Sequence, residues 1–104
     1  MSTYNQVISE LKSNFLTIIK QDDKILKQLV LDDKPYERED QVLFQTRPLD
    51  SAIYLDFLPN KKIIITRERE LEPIEYVNVY NIQDAYKQVR YFANNGRLKG
   101  AEAL

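Results

Sequence analysis

The chain has 104 residues, 43% of them hydrophobic, and a formal charge of -1 from 15 basic and 16 acidic side chains; that length supports a single two-layer core, and the charge supplies no global field toward nucleic acid or an anionic membrane. Cysteine and histidine are absent, which excludes disulfides and thiolate metal sites and removes the commonest general base near neutral pH.

The opening stretch MSTYNQVISELKSNF turns amphipathic at once and lacks the charged start and continuous apolar run of a secretory leader. No apolar run approaches the roughly 18 residues that span a bilayer, so the expectation is a cytoplasmic protein with no membrane contact. From Thr3 to about Leu31, Tyr4, Ile8, Leu11, Phe15, Ile18, Ile25 and Leu29 recur at steps of three or four, with Asp22 the one interruption. With neither Gly nor Pro to mark a stop, one long helix, bent near Gln21–Lys24, is expected; the alternative is a break with Asp22 capping a second, shorter helix.

Residues 32–40 are polar and aperiodic and contain Pro35, which makes them a connection. Four strand-like stretches follow, at residues 41–47, 51–58, 61–70 and 74–80, rich in Ile, Val, Phe, Tyr and Thr and punctuated by Pro48, Pro59 and Pro73. Their short gaps permit hairpins only, since a parallel return needs a crossover of about a dozen residues. Asn81, with Asp84 three positions on, caps a last helix whose apolar face is Ile82, Ala85, Tyr86, Val89, Phe92 and Ala93. Asn94-Asn95-Gly96 ends it, and residues 97–104 are expected to form a frayed, flexible tail. The expected fold is a single α+β domain over residues 1–104: a long N-terminal helix, a four-stranded antiparallel meander and a C-terminal helix, with both helices on one face of the sheet.

Alternation along a strand sorts the run Arg67-Glu68-Arg69-Glu70 by face, placing Arg67 and Arg69 with Ile63 and Ile65, and Glu68 and Glu70 with Ile64 and Thr66. Register across the turn at Leu58–Lys61 decides which side is wet. A three-residue loop puts Ile53, Leu55 and Phe57 with Ile63 and Ile65, giving the more uniform apolar face; a two-residue loop would put them with Ile64. On the first arrangement Arg67 and Arg69 lie at the rim of the core face. The opposite face then carries Tyr54, Tyr76, Asn78 and Tyr80, with Asp56, Glu68 and Glu70 nearby.

Catalytic motifs are lacking. Ser9 and Ser13 have no histidine partner. The carboxylates of Asp22-Asp23, Asp32-Asp33 and Glu37–Asp40 lack the alternating spacing that wraps calcium, and two glycines leave no phosphate-cradling loop. No cofactor or metal is expected. A tyrosine-rich sheet face with charges of both signs suits a protein contact surface. The expected function is that of a small non-enzymatic inhibitor, adaptor or regulator, of the kind common among phage and mobile-element accessory factors. Its binding residues are Tyr54, Arg67, Glu68, Arg69, Glu70, Tyr76, Asn78 and Tyr80. Its partner is another protein, with self-association through the N-terminal helix or a sheet edge as a further route. The alternative is a binder of single-stranded RNA or DNA that stacks bases on Tyr54, Tyr76 and Tyr80 and holds phosphates with Arg67 and Arg69.

Overall fold

The computed structural model describes residues 3–48 and 50–104; the side chains of Thr3 and Tyr4, the latter a member of the expected apolar stripe, lie outside the description. Helix α1 runs Thr3–Lys20, α2 Asp23–Gln28 and α3 Ile82–Asn95. The strands are β1 Leu29–Asp32, β2 Gln41–Thr46, β3 Ser51–Phe57, β4 Ile63–Arg69, β5 Glu72–Val79 and β6 Glu102–Ala103, with a single 3-10 turn at Pro35–Glu37 between β1 and β2. All six strands join one antiparallel sheet in chain order, β1-β2-β3-β4-β5-β6. The α+β class and the meander agree with the sequence; two strands were not anticipated, one at each margin.

The first of these comes from the end of the expected long helix. That helix breaks at Gln21–Asp22, as the alternative reading allowed. Asp22 has extended backbone and accepts a hydrogen bond from the Ile25 amide at 3.1 Å, which caps α2. Its second carboxylate oxygen accepts from the Tyr86 hydroxyl at 2.6 Å. One aspartate therefore stops α1, starts α2 and fastens both to α3. After Gln28 the backbone extends, and Leu29 and Leu31 change from helical spacing to the two-residue period of a strand opposite Thr46 and Phe44.

The second comes from residues 97–104, expected as a frayed tail. Leu98 is 3% exposed and joins the core. The Gln88 amide closes a two-bond clasp on Lys99, donating to its carbonyl at 2.8 Å and accepting from its amide at 3.0 Å. β6 then pairs with Glu75 and Tyr76, and the Leu104 amide reaches the Ile74 carbonyl.

The expected capping of α3 is present. Asn81 accepts from the Asp84 amide at 2.8 Å, and Gly96 closes the helix in the left-handed conformation, φ 73°. Pro73, read from sequence as a turn marker, lies inside β5 opposite Glu68, where the register shifts by a bulge. Proline is tolerated there because the ladder is already interrupted. The hairpin itself turns at Glu70 and Leu71, both with positive φ.

Register follows the three-residue loop: Leu58 and Lys62 are bonded across residues 59–61, Phe57 faces Ile63 and Leu55 faces Ile65. The core therefore gathers Val42, Phe44, Ile53, Leu55, Phe57, Ile63, Ile65 and Val79 from one sheet face with Phe15, Ile19, Ile25, Ala85, Val89 and Phe92 from the helices. Phe15 sits at its centre, edge-on to Phe44 with ring centroids 6.2 Å apart and tilted against Phe57 at 5.6 Å.

Candidate functional site

The same register lays out the opposite face in rows. One row crosses the whole sheet as Asp32, Leu43, Tyr54, Thr66, Tyr76 and Glu102. Beside it on one side run Val30, Gln45, Ala52 and Glu68; on the other run Gln41, Asp56, Ile64 and Asn78. The helices contribute their core side chains to the other face. What closes over this one is the 3-10 turn, which packs on β2. Its Tyr36 ring stacks on Tyr54 with centroids 6.4 Å apart and planes 19° from parallel, and the two hydroxyls meet at 3.2 Å.

Tyr36 and Glu37 both adopt left-handed backbone, φ 56° and 62°. That conformation costs an ordinary side chain roughly 1 kcal/mol or more. Its result here is an aromatic ring 78% exposed over a face whose Leu43 is 8% exposed. Nothing in the local sequence, which has no glycine in this connection, announces it.

The electrostatics of this face are one-sided. Its strand positions carry Asp32, Asp56, Glu68 and Glu102 and no lysine or arginine. Burial, the hydrogen bond shared with Tyr36 and the nearby charges of Glu68 and Asp32 all push the Tyr54 hydroxyl well above its ordinary value. Burial also raises the carboxyls of Asp56 and Glu68. The Tyr76 hydroxyl, donating to Glu102 at 2.8 Å, is raised as well, chiefly by that bond. Gln41 donates to Asp56 at 2.9 Å, while its own Oε1 is buried without a partner. Arg38 borders the face, gripping Asp40 through two 3.0 Å bonds and lying 3.7 Å from Asp56.

The structure divides the residues singled out from sequence. Tyr54, Glu68, Tyr76 and Asn78 share the uncovered face. Arg67 and Arg69 lie on the other, where Arg67 faces Ile53 and binds Glu75 at 2.6 Å. Glu75 also accepts from the Leu98 amide at 3.0 Å, so the pair holds the C-terminal segment to the sheet. Burial alone would raise the Glu75 carboxyl, but the Leu98 amide and the Arg67 guanidinium outweigh it and hold it below its ordinary value. Glu70 is in the β4–β5 turn, and Tyr80 lies just beyond the end of β5, exposed above a cleft shared with Lys87, Tyr91 and Lys99. Tyr36 escaped the sequence reading because its position depends on two strained backbone angles and a partner on another strand.

A concavity of about 680 Å³ lies between α1 and residues 33–40. Its lysines are each answered locally: Lys12 donates to the Glu39 carbonyl at 3.1 Å, Lys20 lies 4.0 Å from Asp33 and Lys34 3.5 Å from Glu39. Burial lowers the Lys12 pKa despite the surrounding carboxylates. This balanced groove offers no net charge to a ligand, and the sheet face is the stronger candidate. Among the described residues no group of three or more acidic side chains is arranged to hold a metal, and no helix is long and apolar enough to cross a membrane.

In comparisons with known proteins the chain matches no family, no curated protein and no solved structure.

Proposed function

We propose that this protein acts by binding another protein through the uncovered face of its sheet, as an inhibitor, adaptor or regulator, and performs no chemistry of its own. The observation that carries this reading is the Tyr36–Tyr54 stack, with Leu43, Ile64 and Tyr76 around it, on a face that the helices leave to the solvent. Aromatic side chains with apolar bodies and polar tips are enriched at the centres of protein interfaces. Backbone strain spent on exposing one of them fits a contact role.

The nucleic-acid alternative is weakened by where the cations sit. Stacking bases on Tyr54 and Tyr76 would bring phosphates toward Asp32, Asp56, Glu68 and Glu102, while Arg67 is engaged by Glu75 on the opposite face.

Affinity capture from native lysate, with quantitative mass spectrometry, tests the proposal. The wild-type chain and a Tyr36→Ala/Tyr76→Ala variant are compared. A protein enriched by the wild type and reduced at least tenfold by the variant is expected. Equal capture by both, or turnover of a substrate abolished by changing one carboxylate, refutes it.

A further inference from the structure

We propose that the partner of this face is an arginine-bearing protein segment, whose guanidinium groups lie against the Tyr36–Tyr54 pair and form ion pairs with Asp32 and Glu68. This inference rests on the reading that the face binds protein, and adds the chemistry of what it binds.

Charge complementarity is the first argument. Asp32 lies in the Tyr54 row, and Glu68 lies one row over, diagonal to Tyr54 on the neighbouring strand. Neither takes part in an ion pair among the described residues. Their field reaches the Tyr54 hydroxyl, so the charge is felt where the aromatic stack sits. No cation is spent on these two carboxylates: the alternation of β4 sends Arg67 and Arg69 to the other side, and Arg38 pairs with Asp40 and Asp56 instead. Asp32 accepts one hydrogen bond, from the Lys34 amide at 3.0 Å, but no cation pairs with it or with Glu68 among the described residues, so a cationic partner meets an attractive surface, whereas a phosphate or an acidic peptide meets repulsion.

The ring geometry selects arginine over lysine. A planar guanidinium stacks on an aromatic face while its edge donors reach carboxylates in a fork, and an ammonium does neither as well. The exposed Tyr36 ring and the flanking carboxylates supply both kinds of contact.

The test is a fluorescence-anisotropy titration of the full chain against labelled peptides of alternating Arg and Ser, Lys and Ser, and Glu and Ser, with amide chemical shifts to locate binding. The Arg peptide is expected to bind, to perturb Leu43, Tyr54, Thr66 and Tyr76, and to weaken at least tenfold with Asp32→Asn/Glu68→Gln. Tyr36→Ala should weaken it about two- to fivefold, and the Lys peptide should bind several-fold less tightly. Thermal melts establish that each variant is folded; all three changes are at solvent-accessible positions. Absence of binding at millimolar Arg peptide, equal binding of the Lys peptide, shifts confined to another surface, or indifference to Asp32→Asn/Glu68→Gln overturns the inference. Tighter binding of a single-stranded oligonucleotide at the same face also overturns it. The two proposals fail separately: a captured protein lost with Tyr36→Ala/Tyr76→Ala but kept with Asp32→Asn/Glu68→Gln leaves the face intact as a site and removes the basic partner.

Discussion

Glu75→Ala should destabilise the protein far more than a typical surface change, because Glu75 neutralises Arg67 and anchors the last strand at once. The Arg67–Glu75 contact is 2.6 Å long, and its side chains are 15% and 18% exposed. Removing one member of a buried pair costs about 3–5 kcal/mol because the other charge is left unpaired. Residual exposure of both puts this pair at the lower end, and losing the acceptor for the Leu98 amide adds about 1 kcal/mol. The expected loss is about 3–4 kcal/mol, a large share of the roughly 5–15 kcal/mol that a domain possesses. In urea unfolding, with a slope of about 1.5 kcal/mol per molar, the midpoint falls by about 2 M. Arg67→Leu/Glu75→Leu, which removes both charges and keeps apolar volume, should recover most of that loss. A loss below about 1 kcal/mol for Glu75→Ala, or a double variant no more stable than the single, would refute the assignment of Arg67 to structure rather than to binding.

Two further outcomes test how the ends of the chain are held. Leu98→Ala should cost about 2–5 kcal/mol and, in amide hydrogen exchange, expose β6 and the Lys99 amide well before the central strands. Unchanged protection there would mean that Leu98 does not fasten the segment. Asp22→Ala should cost about 1–2 kcal/mol from the lost cap and the lost Tyr86 bond. The hydrogen bond from Tyr86 is the main cause holding the Asp22 carboxyl below its ordinary value of 3.8. A carboxyl depressed on folding stabilises above its unfolded pKa, and that contribution disappears as pH falls through the folded one. The gap in melting temperature between wild type and Asp22→Ala should therefore be full at pH 7 and narrow below about pH 4; a gap independent of pH would contradict the charged hydrogen bond.

What the sequence made legible is what neighbouring residues decide among themselves. Strands 2 to 5 follow from β-branched and aromatic runs between prolines, and the α3 cap from Asn81 and Asp84. The sorting of Arg67 from Glu68 needed only the two-residue period and the length of one turn. The parts it hid depend on distant partners. Asp22 breaks the helical stripe with help from Tyr86, 64 residues away. Leu29 and Leu31 fit a helix and a strand equally well until β2 offers a ladder. Leu98 and Gln88 turn a polar tail into a packed segment, and Tyr36 reaches Tyr54 through backbone angles that its own sequence does not favour. The candidate face was thus half visible: its strand tyrosines were, its capping tyrosine was not.

A sheet whose strand order repeats the chain order has a kinetic consequence. Each strand pairs with its neighbour in sequence, so the hairpins from β1 to β5 close short loops at small entropic cost, whereas β6 returns to β5 only after α3. Docking of the N-terminal helices on α3 is different, since the Asp22–Tyr86 bond joins segments 64 residues apart. A chain caught with its meander formed and α1 undocked would present Val42, Phe44, Ile53, Leu55 and Phe57 to the solvent in place of Phe15 and Ile19. Misassembly between chains would begin from such a species.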